Sequence, residues 1–97
     1  MKSIKILKQS LEKYRQRLQN EYSIKTLGIF GSYSKGKASA ASDLDLLIEF
    51  FHPPTFFKFV RLERTLSRLL GIHVDLVTPN SLKPIIKKKI LKETILL

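Results

Sequence analysis

The run from Leu44 to Phe51 narrows the possible folds of this chain more than any other stretch. It reads Leu-Asp-Leu-Leu-Ile-Glu-Phe-Phe, a nearly continuous apolar segment, which is the signature of a strand covered on both faces. Side chains alternate along a strand. Asp43 and Asp45 therefore point one way, while Leu44 and Leu46 point into a core. Two carboxylates side by side repel each other. A structural role alone has little reason to keep both, whereas a bound Mg²⁺ would relieve the repulsion.

Around this strand the chain alternates helical and extended patterns. Ile4, Leu7, Leu11, Tyr14 and Leu18 recur at steps of three and four, one stripe of an amphipathic helix with Ser3 as its N-cap. Ile24 to Phe30 reads as a strand ended by Gly31. Ser34 to Ser42 is small and polar, a helical turn followed by a loop. After the Pro53-Pro54 break, Phe56, Phe59, Val60, Leu62, Leu66, Leu69 and Leu70 give a second helix a wide apolar face, and Gly71 stops it. Ile72 to Val77 reads as a third strand closed by Thr78-Pro79. Asn80 or Ser81 is expected to cap a last helix with Pro84 in its first turn. Leu82, Ile85, Ile86, Ile90 and Ile95 are expected on one side of that helix. The alternation predicts an α/β fold, a small sheet of three or four strands packed with helices, in a single domain over residues 1–97. The spacer between Ser32 and Asp43 is near the lower limit of about a dozen residues for a parallel crossover, so a mixed sheet is expected.

Composition removes several function classes. The chain has no cysteine, which excludes disulfides and thiolate zinc sites. His52 and His73 are its two histidines, too few for a His-based metal site. No apolar run approaches the ~20 residues of a membrane span. Met1 to Lys5 leads into a mixed pattern and not a signal-peptide core, so a cytoplasmic protein is expected. Eighteen basic and eight acidic residues give a formal charge of +10, which favours anionic partners: nucleotides, nucleic acid or an acidic protein surface.

Gly31 and Ser32 lie where a strand ends and a short helix is expected to begin. Backbone N–H groups there point outward and form an anion site, glycine lets a phosphate approach closely, and the Ser32 hydroxyl adds a hydrogen bond. Lys35, one turn on, can reach the same phosphates. Asp43 and Asp45 are hard oxygen ligands of the kind Mg²⁺ prefers. Val74 and Leu76 are core-like, which turns Asp75 to the opposite face. Asp75 then joins the other two carboxylates if its strand neighbours theirs, completing a two-metal site or activating a hydroxyl. His73 shares that face but is placed at its edge, and Tyr33 reads as a packing residue or a lid over the nucleotide, not a catalyst.

Together, Gly31-Ser32-x₃-Gly36-x₅-Ser42-Asp43-x-Asp45-Leu46 and the downstream Val74-Asp75-Leu76 resemble the nucleotidyltransferase superfamily that includes DNA polymerase β and kanamycin nucleotidyltransferase. The resemblance covers essentially the whole chain and is closest to the minimal nucleotidyltransferases, which consist of the catalytic fold alone. It implies a nucleotidyltransferase fold and Mg²⁺-dependent transfer of a nucleoside monophosphate, AMP from ATP, to a hydroxyl. It assigns phosphate binding to Gly31 and Ser32 and two Mg²⁺ to Asp43 and Asp45. Asp75 would ligate one metal and help deprotonate the acceptor. Lys35 stands where arginine is frequent, keeping the charge but not the bidentate fork. Ser34 stands where alanine is common. Minimal members are often paired with a small helical HEPN toxin, so the resemblance also implies an antitoxin that modifies a toxin tyrosine.

The contrasting reading is a binding module that keeps the fold but works by docking a protein partner or RNA through its basic surface. The intact carboxylate triad favours the enzyme. A basic RNA-binding protein fits less well, because the aromatics are mostly phenylalanines in core-like positions and not a base-stacking pattern.

Overall fold

The computed structural model describes residues 3–97. In chain order these form α1 (Ile4–Tyr22), β1 (Ile24–Phe30), β2 (Leu44–Phe50), α2 (Phe56–Leu70), β3 (Val74–Val77), a 3₁₀ turn (Pro79–Ser81), α3 (Pro84–Glu93) and β4 (Ile95–Leu96). The local signals explain the ends of the first two helices. The Ser3 hydroxyl accepts from the Ile6 amide and starts α1, and the Thr55 hydroxyl accepts from the Lys58 amide and starts α2. Gly71 closes α2 in the left-handed conformation, at φ 69°.

The four strands lie in the order β3-β2-β1-β4. β1 pairs antiparallel with β2 and with β4, while β2 and β3 run parallel. The sheet is therefore mixed, as expected from the short spacer before Asp43. α1 and α2 cover one face of it. Leu7, Leu11 and Leu18 of α1 and Leu62, Leu66 and Leu70 of α2 pack on Ile29, Leu44, Leu46, Ile48 and Val74 in one buried cluster. Tyr33 joins that cluster as a packing residue.

β3 is an edge strand, and an edge leaves backbone donors unpaired. α2 covers them with its own side chains. The Val74 amide donates to Ser67 Oγ at 2.9 Å and the Leu76 amide to Glu63 Oε2 at 2.9 Å. These two bonds flank Asp75 and fix the strand that carries it.

Four expectations need correction. The third strand starts at Val74, not Ile72. β2 is packed on one face but covered on the other only at Leu47, because Asp45 and Glu49 occupy the remaining positions there. Asn80 and Ser81 belong to the 3₁₀ turn and do not cap α3, whose N-cap position is Lys83 with no side-chain bond. The predicted apolar side of the last helix is not a core face. α3 buries no residue, Ile85 is 87% exposed, and Ile95 lies in β4. The periodicity there is real, but among the described residues it leads to no burial.

Candidate active site

The chemistry-bearing residues gather at one end of the sheet. The strand registers place them there: Asp45 is the cross-strand partner of Asp75 on one side and of Phe30 on the other. Parity then puts the Asp45 and Asp75 side chains on the face away from α1 and α2. Asp43 stands just before β2. The Leu44 amide donates to the His73 carbonyl at 2.8 Å, which brings the residue before β3 beside the residue before β2.

Asp43, His73 and Asp75 each offer a ligand atom, and these atoms all lie within 4.8 Å of one another. His73 Nδ1 is 3.3 Å from Asp43 Oδ1. His73, expected at the margin, is thus in direct contact with the first carboxylate. Its sequence signal was only its parity with Asp75. Asp45 lies deeper than Asp43. Burial raises its pKa above the ordinary carboxylate value, and the charges of Asp75, Asp43 and Glu93 raise it further. Hard oxygen donors crowded around one carboxylate suit a divalent cation, which would remove the repulsion on Asp45. The donor set thus suits the metal implied by the family resemblance.

The segment after β1 forms a turn and not the short helix expected there. It begins at Gly31, earlier than the expected Ser34. Lys35 donates its amide to the Gly31 carbonyl and Lys37 to the Ser32 carbonyl, and the Ser34 hydroxyl donates to the Gly31 carbonyl at 3.0 Å. Glycine is required at the start. Gly31 has φ 75°, a left-handed conformation unfavourable to L side chains, and a Cβ there would collide with the Asp45 carboxylate. The turn and the metal-type carboxylates are therefore in contact through Gly31 and Asp45.

Glu93, at the C-terminus of α3, was not singled out from the sequence. Its Oε1 accepts from the Gly31 amide at 3.4 Å, and its Oε2 is 3.3 Å from Lys35 Nζ. No local sequence signal could have found it, since Gly31 and Glu93 are joined only through the tertiary pairing of β4.

Comparison with known proteins points the same way. Residues 11–97 match the nucleotidyltransferase domain family. A Methanocaldococcus jannaschii protein, named provisionally as a protein adenylyltransferase, is 44% identical over 96 residues and 98% of each chain. A solved structure described provisionally as a minimal nucleotidyltransferase superposes with a TM-score of 0.83, at 32% identity, over 99% of this chain and 97% of the other. A more distant likeness, of fold alone, is to a complex of a tri-AMPylated Shewanella oneidensis HEPN toxin with its MNT antitoxin. It has a TM-score of 0.68 at 19% identity, covering 93% of this chain and 70% of that one.

Proposed function

This chain belongs to the nucleotidyltransferase domain family, and from that premise we propose that it transfers AMP from ATP to a hydroxyl of a partner protein, a tyrosine of a HEPN-type toxin, and so acts as an antitoxin. The observation that carries the reading is the close approach of Gly31 in the turn to Asp45, which pairs with Asp75 across the strands beside the Asp43, His73 and Asp75 group. A phosphate site and a cation site in contact suit one ligand, a metal-bound nucleoside triphosphate.

In this reading Gly31, Ser32 and Lys35 hold the β- and γ-phosphates, through backbone N–H groups, a hydroxyl and an ammonium. Asp43, Asp45 and Asp75 hold Mg²⁺, two ions on the family pattern. Bound there, the metal would offset triphosphate charge and polarise the reacting phosphoryl group. The acceptor oxygen attacks the α-phosphorus, and the bond from that phosphorus to the oxygen bridging to the β-phosphorus breaks. Pyrophosphate leaves, and Asp75 takes the hydroxyl proton. We place this chemistry in the cytoplasm, in one domain spanning residues 1–97.

A protein acceptor is proposed because the carboxylate end of the sheet is open, with the Asp43 side chain 51% exposed and His73 63% exposed. The HEPN acceptor rests on the family resemblance and on the same-fold antitoxin found with its AMPylated toxin. The charge of +10 would speed encounter with an acidic partner.

The test is transfer from α-labelled ATP, with Mg²⁺, to a HEPN-type helical protein from the same cell. Label on that protein, lost when its acceptor tyrosine becomes phenylalanine, is expected. The competing binding-module reading draws on α3 and its N-cap, where Lys83, Lys88, Lys89 and Lys92 are exposed. Recovery of RNA alone from the native cell, with no labelled protein at any salt concentration, would overturn the antitoxin reading in its favour.

A further inference from the structure

Glu93 is a carboxylate that the proposed chemistry leaves without a role, yet it sits on the phosphate-type turn. One of its oxygens takes the Gly31 amide and the other faces Lys35 Nζ. These are the two kinds of donor a phosphate would use. The side chain is only 19% exposed. It also adds its negative charge to the group that already crowds Asp45.

The placement is dictated by the sheet. β4 pairs Ile95 with Ile29 and Leu96 with Gly28. Carried two residues further, that antiparallel register sets position 93 opposite Gly31. The end of the chain is fastened by the Leu97 amide on the Leu27 carbonyl at 2.9 Å and by Arg15 donating to the Leu97 carbonyl at 3.0 Å. The fastening is slight. β4 has two residues, and α3 buries none. Moving this segment uncovers, of its own apolar side chains, only partly buried ones, Ile90, Ile95 and Leu97 among them, and no fully buried one, which makes it a less costly opening than one through the core.

We propose that Glu93 is a resident competitor for the triphosphate: its carboxylate takes the Gly31 amide and the Lys35 ammonium, and a nucleotide binds by displacing it. The inference rests on the nucleotide reading given above. One amide and one ammonium cannot serve a carboxylate and a triphosphate at once, and the two anions repel. Nucleotide entry therefore frees the α3–β4 end from the turn, and a segment rich in lysine and exposed isoleucine is released in the same step. The site thereby reports its occupancy to the surface that carries the basic helix.

Calorimetric titration of inorganic tripolyphosphate, and of ATP with Mg²⁺, into the wild type, Glu93→Gln and Ser32→Ala tests this. Glutamine keeps the shape and removes the charge. Glu93→Gln is expected to bind both ligands about five- to tenfold tighter, the factor by which a competing state reduces apparent affinity. Hydrogen exchange on the wild-type protein supplies a second readout that needs no variant. Amides of residues 84–97 should exchange faster when tripolyphosphate saturates the site. Equal or weaker binding by Glu93→Gln, or unchanged or slower exchange at 84–97, overturns the proposal. If wild type and Glu93→Gln bind equally and Ser32→Ala binds less, the competitor fails while the nucleotide reading stands. No binding by either overturns both.

Discussion

Leu44, Leu46 and Ile48 are fully buried, whereas of Asp45, Leu47 and Glu49 only Leu47 is buried; all six come from β2. The first set packs against α1 and α2 and has no polar obligation. The second set faces away from the helices: Asp45 lies next to Asp75 and the Gly31 turn, among like charges, while Glu49, further along, accepts from the Thr26 hydroxyl. One strand therefore carries core packing on one face and a carboxylate of the proposed site on the other. The period of two makes this separation possible, because neighbouring residues need not share an environment. It also means that changes on the two faces should have opposite signatures, activity without stability on one and stability without activity on the other.

The sharpest test of that division is Asp45→Asn. It is expected to lower AMP transfer about a thousandfold or more, as loss of a group acting at the reacting centre does. The melting temperature should stay level or rise, because one charge leaves a repulsive group. Transfer assays and a thermal melt on the same preparation check both halves. Transfer at the wild-type rate would break the comparison on its chemical side.

Leu46→Ala is the mirror experiment. Deleting a fully buried leucine is expected to cost about 2–5 kcal/mol in denaturant unfolding. The fraction that remains folded should transfer AMP with an unchanged KM. A changed KM at preserved stability would mean that the packed face shapes the site directly.

Gly31→Ala falls between the two, because Gly31 belongs to the turn and touches Asp45. The left-handed φ should cost about 1–2 kcal/mol. The new methyl should also push the Asp45 carboxylate aside and weaken nucleotide binding. Denaturant unfolding and titration with ATP and Mg²⁺ should both shift. A stability change without a binding change would separate the turn from the site.

The smallest effect is on pH dependence. The Asp45 pKa is raised in the folded protein, so over the range between its unfolded and folded values the native state binds more protons. Stability in metal-free buffer should therefore fall as pH rises through that range, and the loss should be complete above the folded pKa. Asp45→Asn should flatten this part of the profile. An identical slope in the variant would show that Asp45 does not feel its neighbours.

Much of this fold was legible because its signals are local. The α1 stripe, the Ser3 cap, the Gly71 stop and the β1 and β2 segments each depend on residues a few positions apart. The phosphate-type turn and the Asp43 and Asp45 spacing are equally local. α3 was misread for the same reason: Ile85, Ile86 and Ile90 have helical spacing, but spacing does not say whether a surface exists to cover them. β4 escaped notice because two residues carry no periodicity.

The sequence by itself determined that Leu44 and Leu46 face one way and Asp43 and Asp45 the other, and that a glycine-led turn precedes them. These follow from backbone geometry within a single segment. The tertiary structure alone decided that β3 lies beside β2 and pairs Asp45 with Asp75, that His73 meets Asp43, and that β4 brings Glu93 to Gly31. Strand order and register are set by the joint packing of α1, α2 and the sheet, between residues as far apart in the chain as Gly31 and Glu93, and no local pattern encodes which edge a strand will choose.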